Sequence, residues 1–356
     1  MINLDDYEDE ARTLLPKMAY DYYRSGSEHQ QTLKRNRKAF RSFELWYRVL
    51  VDVSEVDLST TVLGTDVAMP ILVAPTAYHR LAHPGGECET AQGVAKAETV
   101  MCVSTLATTS LEDVAAASEC PKWFQLYVHK DRGLTKTLVE RADAAGYKAI
   151  VLTVDAPVLG RRLDDERNSF ALPEGMSMQN FVEGAMDPLG DIDGSALGAY
   201  VAARHDASVT WHDLDWLRSV TSLPIVIKGI VRPDDALRAV DHGIDAIIVS
   251  NHGGRQLDYA PASIVALADV APLVRDRIEV FMDGGIRTGT DVLIALALGA
   301  RAVLLGRPIL WGLAVEGADG VAKVLSLLGA ELRQAMQLAG CPNLTSIDQT
   351  LVRRAS

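Results

Sequence analysis

Ala246-Ile247-Ile248-Val249-Ser250-Asn251-His252-Gly253-Gly254 opens with four apolar residues in succession and then stops in a polar, glycine-containing break. With no polar face, the run suits a strand covered on both sides, as in a parallel sheet, rather than an alternating strand with one wet face. The same pattern begins near Pro70 (PILVAP), Val100 (VMCVST), Trp123 (WFQLY), Ala149 (AIVLTVD), Pro224 (PIVIKG), Glu279 (EVFMDGG) and Ala302 (AVLLGR). Between these runs lie stretches with helical spacing and glycine near their ends, among them 133–145, 233–242 and 288–298. Eight βα units in succession predict an α/β fold, the (β/α)₈ TIM barrel. An open doubly wound sheet is the alternative, and the lack of Gly-x-Gly-x-x-Gly after the first strand weakens it.

One spacing departs from the others. The step from Ala149 to Pro224 is about 50 residues longer than one βα unit needs, the mark of a lid or binding loop. The chain therefore reads as a single domain over 1–356. Residues 1–69 form an N-terminal helical extension with helix-like stretches at 4–26 and 27–40, and 70–356 form the barrel. A lid loop is inserted over about 157–209 after strand 4, and the region after Trp311 reads as the eighth helix and a tail.

Of the 356 residues, 48% are hydrophobic and 23% charged, enough apolar surface for a large core. The balance of 35 Lys plus Arg against 47 Asp plus Glu gives a net charge of −12, which argues against nucleic acid and anionic lipid as partners. Cys88, Cys102, Cys120 and Cys341 have neither zinc-site nor C-x-x-C spacing, so they read as reduced structural thiols with no metal. The acidic first ten residues lack signal-peptide order, and no apolar run reaches the ~20 residues of a membrane span. The terminal Arg353-Arg354-Ala355-Ser356 is not a peroxisomal signal, so a cytoplasmic location is expected.

In a barrel of this kind the chemistry gathers at the C-terminal ends of the strands. Polar residues do cluster there: Thr76, Ser104, Gln125 with Tyr127, Thr153 with Asp155, Lys228, Ser250 with His252 and Arg255, Asp283 with Arg287, and Arg307. Burying Lys228 and Arg255 near the barrel mouth is costly without an anion, so the pattern implies a negatively charged ligand. The runs Asp283-Gly284-Gly285-Ile286-Arg287 and Gly306-Arg307 fall after strands seven and eight, where barrels commonly hold phosphate. Tight turns with surface arginines are the bland alternative. His252 and Arg255, three positions apart, can set a proton acceptor beside a carboxylate clamp, although a lone histidine at a strand end is more often structural.

SNHGGRQLD, together with LPKMAYDYYRSG, PILVAPTA, WFQLYVHKDR, LTVDAPVLGRR, IVIKG and DGGIRTGTDV, resembles the FMN-dependent L-2-hydroxy acid oxidases, the group of glycolate oxidase and lactate oxidase. The match spans nearly the whole chain in order. STLATTSLEDV, YKAIVLTVDAPVLG and PILWGLAV most resemble the bacterial lactate oxidase branch.

The resemblance implies FMN as cofactor and the following roles. His252 is similar to the catalytic base, which accepts a proton as hydride passes from the substrate α-carbon to the flavin, and Asp155 orients it. Tyr127 contacts the substrate hydroxyl, while Arg255, Tyr22 and Arg162 hold the carboxylate. Thr76, Ala77, Ser104, Gln125, Thr153, Lys228 and Ser250 line the flavin. Asp283, Gly285, Arg287, Gly306 and Arg307 hold the ribityl chain and phosphate. Homotetramers or octamers are the implied assemblies.

Glycolate oxidases of the group usually carry Trp where this chain has Leu106, which predicts a roomier pocket and L-lactate as substrate. Glycolate and L-mandelate are the alternatives. Tyr78 replaces the commoner Met or Phe on the same wall, where it either contacts the substrate side chain or packs. Ala77 follows the oxidase pattern, whereas mandelate dehydrogenases tend to have Gly there and a membrane-binding insertion. The lid loop, with Asp187, Asp191 and Asp193, has no sustained apolar stretch, so no membrane contact is expected. Reoxidation by O₂ with release of H₂O₂ follows. A flavin dehydrogenase with another acceptor and a noncatalytic phosphate-binding barrel are the competing classes.

Overall fold

The computed structural model describes residues 1–181 and 196–355. Asp187, Asp191 and Asp193 lie outside the described residues. Eight parallel strands, β1 (Ile71–Val73), β2 (Met101–Ser104), β3 (Lys122–Leu126), β4 (Ile150–Thr153), β5 (Ile225–Ile230), β6 (Ala246–Val249), β7 (Glu279–Asp283) and β8 (Ala302–Leu305), close into a barrel. β1 pairs with both β2 and β8. The barrel is the fold that the apolar runs predict, and the open sheet is set aside.

Two cores explain why the strands are apolar on both faces. Leu72, Trp123, Val151, Ile248, Phe281 and Leu304 fill the barrel interior. Their neighbours Ile71, Val103, Phe124, Ile150, Ile247 and Val303 point outward beneath the helices. A hairpin that the sequence reading missed, Thr60–Val62 with Thr65–Val67, adds Val62 and Val67 to the interior cluster. Its turn, Leu63-Gly64, has positive φ at both residues (46° and 74°), the geometry of a two-residue hairpin.

The extension forms three helices, α1 (Leu4–Leu14), α2 (Lys17–Arg24) and α3 (Gln31–Lys38), rather than two stretches. The break is at Pro16, which pushes Leu15 into extended geometry and ends α1. A second missed pairing, Phe43–Leu45 with Val352–Arg354, ties the extension to the tail. The last helix begins directly after β8, at Arg307, and is broken by Glu316 and Gly317 into a short helix and the outer eighth helix. In the long segment between β4 and β5, helices Leu163–Arg167 and Ala196–Arg204 precede Asp213–Val220, the helix that leads back to β5.

Candidate active site

The strand register sets the site's floor. Ser104 lies opposite Gln125, and Thr153 opposite Lys228, so four polar side chains emerge at one level at the C-terminal mouth. Gln125 Oε1 accepts from Ser104 Oγ (3.2 Å) and from the Thr105 amide (3.2 Å), while its Nε2 donates to Thr153 Oγ1 (3.0 Å). Lys228 Nζ donates to Ser250 Oγ (3.1 Å) and pairs with Asp283 Oδ2 (3.3 Å); Ser250 Oγ donates to Asp283 Oδ1 (2.6 Å). Burial alone would lower the Lys228 pKa, but the Asp283 and Asp155 carboxylates outweigh it and keep the ammonium charged.

After β6 the chain turns sharply. His252 has φ 59°, a left-handed conformation that a β-carbon resists. The turn is held from outside: Asn251 and Asn36 of α3 exchange reciprocal amide bonds (2.7 and 2.8 Å), Asn251 Oδ1 also accepts from Gly254 N (3.0 Å), and Ser27 N donates to Gly254 O (2.9 Å). The extension thus clamps the loop that carries His252. The ring Nδ1 meets Asp155 Oδ1 at 2.8 Å. A carboxylate only accepts, so Nδ1 bears the proton and Nε2 keeps a lone pair. Burial pushes the His252 pKa below its ordinary value against the opposing pull of Asp155. For Asp155, burial would raise the pKa, yet His252 and Lys228 hold the carboxyl below its usual range.

A cationic wall stands beside it. The C-terminal carbonyls of α2, which no helix bond can satisfy, receive arginines instead. Arg255 Nη1 donates to Tyr22 O (2.6 Å) and Ser25 O (2.9 Å), and Arg307 donates to Tyr23 O (2.7 Å) and Ser25 O (3.0 Å). The Arg255 guanidinium lies 4.9 Å from the Tyr22 ring centre and Arg162 lies 6.0 Å from it. Burial and then Arg162 push the Arg255 pKa down to about 10. Arg162 is buried, with Nε and Nη1 lacking hydrogen-bond partners among the described residues, and Asp165 is within 3.7 Å. Two converging guanidiniums with spare donors fit an incoming carboxylate.

A cavity of about 1180 Å³ of empty space unites these groups. Tyr22, Leu106, Tyr127, Arg162, His252 and Arg255 line it, as do Thr76, Ala77, Ser104, Gln125, Thr153, Lys228, Asp283, Gly285, Arg287, Gly306 and Arg307. Asp155 and Ser250 stand one bond behind, through His252 and Lys228. Tyr78 is not a lining residue. Its side chain is buried under Tyr22 and Phe170, its hydroxyl faces Met178 Sδ (3.7 Å), and its carbonyl accepts from Tyr23 OH (2.5 Å). Of the two roles weighed for it, packing is the one seen. Leu159, Leu197, Val201 and His205 also line the cavity and were not read from the sequence. Leu197, Val201 and His205 recur every four residues along the helix Ala196–Arg204 and just past its end, a one-face signal the loop composition masked.

The chain matches the family model of the FMN-dependent dehydrogenases over residues 11–354. The chain belongs to that family. Its cofactor is therefore FMN, and it is an enzyme of the branch whose named members are 2-hydroxyacid oxidases. This FMN-dependent dehydrogenase is 52% identical to human 2-hydroxyacid oxidase 1 over 99% of this chain and 97% of the relative. It is 53% identical to L-lactate oxidase of a Nostoc species over 99% and 98%, and 49% identical to spinach glycolate oxidase over 98% and 94%. Four points of identity do not choose among these substrates. A crystal structure of mandelate oxidase with (S)-4-hydroxymandelic acid superposes with TM-score 0.95 at 42% identity, covering 100% of this chain and 99% of that one.

The residues fit the cofactor. Gly285 has φ 87°, and a β-carbon there would collide with the Asn36 backbone oxygen, so only glycine lets this cavity-lining turn pack against α3. Arg287 is cavity-lining, its pKa lowered by burial and then by Arg37, and its Nε has no hydrogen-bond partner among the described residues. Arg307 opens the short helix after β8, so two cations and a helix N-terminus converge where a phosphate would lie. Among the described residues no helix is long and apolar enough to cross a membrane.

Proposed function

We propose that this enzyme oxidises L-2-hydroxy acids to 2-keto acids, with L-lactate the preferred simple substrate. The observation that carries the reading is His252, a cavity-lining imidazole whose Nδ1 is tied to Asp155 at 2.8 Å, beside a two-arginine wall. Arg255 and Arg162 take the carboxylate, which fixes the face that the α-carbon presents. His252 Nε2 removes the hydroxyl proton, and Asp155 stabilises the imidazolium that results. Burial, opposed by Lys228, pushes the Tyr127 pKa up to about 12, so its phenol stays protonated and donates to the substrate oxygen.

When bound, FMN would supply the two-electron acceptor, with O₂ as the final oxidant and H₂O₂ as the expected product. Thr76, Ala77, Ser104, Gln125 and Thr153 would hold its ring, and Lys228 with Ser250 would favour negative charge on it as it is reduced. Asp283, Gly285, Arg287, Gly306 and Arg307 would hold the ribityl chain and phosphate.

Leu106 supports lactate over glycolate, because its side chain leaves room for a methyl group where a tryptophan would fill the wall. Steady-state O₂ consumption and peroxide release on glycolate, L-lactate and L-mandelate test the reading; highest kcat/KM on glycolate or mandelate, or no peroxide, overturns it. The same reading takes the enzyme as a cytoplasmic homotetramer or octamer, which light scattering resolves.

A further inference from the structure

His205 is a buried histidine that the mechanism does not use. It follows the lid helix Ala196–Arg204 and lines the cavity on the same face as Leu197 and Val201. Its position is fixed by backbone bonds: His205 N donates to Val201 O (2.9 Å), Lys130 N to Arg204 O (2.9 Å) and Asp206 N to Val128 O (3.0 Å). The ring stacks on Tyr127 with centres 4.6 Å apart and planes 27° from parallel. His129 and Tyr200 meet the same ring edge-on at 5.4 and 5.7 Å, yet they bond one another (3.2 Å) and leave His205 alone. Neither His205 nitrogen has a hydrogen-bond partner among the described residues, although the residue is only 5% exposed.

An unpaired polar group in such a place is a standing cost, and a packed aliphatic residue would avoid it. Leu197 and Val201, on the same helix face, offer it nothing. A substrate whose carboxylate sits on Arg255 and whose side chain extends past the methyl of lactate would approach the wall on which Leu197, Val201 and His205 lie. Burial, and then His129, lower the His205 pKa to about 3, so the ring stays neutral, with one donor and one acceptor nitrogen. A hydroxyl, which both donates and accepts, suits either nitrogen. A second carboxylate would bring a charge that one neutral imidazole N–H does not compensate.

Resting on the hydroxy acid oxidase reading, we infer that His205 is a specificity-determining residue, a polar subsite that selects L-2-hydroxy acids carrying a side-chain hydroxyl. No chemistry beyond that of the main reaction is required. The group lies on the wall and touches the substrate side chain, not the reacting atoms.

The experiment compares two substrates of equal size, L-2,4-dihydroxybutanoate and L-2-hydroxypentanoate, in the FMN-loaded full chain, with L-lactate and L-malate alongside. The parent enzyme should prefer the dihydroxy acid by about tenfold in kcat/KM, the worth of one hydrogen bond of about 1.4 kcal/mol. His205→Leu should abolish that preference, and His205→Gln should restore most of it. Malate should be the poorest of the four. A ratio unchanged in His205→Leu overturns the inference, as does an equal loss on all substrates, which would make His205 a packing support for Tyr127. If His205→Leu fails to fold, the ratio in His205→Gln and His205→Phe decides instead. Failure of the parent enzyme on every hydroxy acid would sink the parent reading instead, so the two failures are distinct.

Discussion

Asp155 Oδ1 lies 2.8 Å from His252 Nδ1, although the two residues are 97 positions apart in the chain. The pair joins the end of β4 to the turn after β6, and the second Asp155 carboxylate oxygen is buried without a hydrogen-bond partner among the described residues. The carboxylate therefore has one task visible here, to fix the imidazole. His252→Ala should leave FMN bound but slow substrate-driven flavin reduction by about 10²–10⁴-fold, the usual worth of a general base. Asp155→Asn should fall in the same range, and the double variant should be no slower than His252→Ala, because the two act as a unit. Anaerobic stopped-flow reduction measures all three, and additive losses would separate the roles.

Arg255 both closes the end of α2 and faces the cavity. A lysine at that position has no fork to satisfy Tyr22 O and Ser25 O while presenting a second edge to a carboxylate. Arg255→Lys should raise KM for L-lactate by about 10- to 100-fold, the range of one charge-assisted hydrogen bond, with a smaller fall in kcat. The opposite split would mean that the arginine acts in the transition state alone.

The fold was legible because a parallel sheet covered on both faces writes itself as consecutive apolar runs, and β1 to β8 each contain one. The polar cluster was legible for a related reason: Lys228, Ser250 and Asp283 end apolar strands that have no folding need for them. Two kinds of feature escaped. The clamp between Asn36 and Asn251 depends on a contact across 215 positions that no local pattern announces. The cavity wall of Leu197, Val201 and His205 is a short helical face inside a long connection, too brief to stand out by periodicity. Tyr78 illustrates the reverse, since its place in the sequence beside cavity residues says nothing of its left-handed backbone (φ 63°), with its ring packed under Tyr22 and Phe170.

Two buried histidines make stability depend on pH. Burial pushes His129 down to about 4 and His205 to about 3, against 6.5 in the unfolded chain. Between pH 6.5 and about 4 the unfolded state binds more protons than the folded one, so stability falls as pH falls through that window. Each histidine contributes up to about 1.4 kcal/mol per pH unit there. Denaturant midpoints at pH 7 and pH 5, with FMN saturating, should differ less in His205→Gln than in the parent. An identical difference would place the acid sensitivity elsewhere.

The glycine turn after β7 gives a test of the cofactor cradle. Gly146 (φ 83°) and Gly285 (φ 87°) share the same backbone conformation, but a β-carbon on Gly146 meets nothing within 4 Å. On Gly285 it would overlap the backbone oxygen of Asn36, the residue that clamps the His252 loop. Gly146→Ala should therefore cost only the left-handed backbone, about 1 kcal/mol, with FMN affinity unchanged. Gly285→Ala must move either α3 or the turn, and both carry the site: it should release FMN on dialysis and lower the thermal midpoint by more than Gly146→Ala. Flavin fluorescence in the dialysate and calorimetry read the two effects. If both variants retained FMN equally, Gly285 would serve the turn alone, and phosphate binding would rest on Arg287 and Arg307.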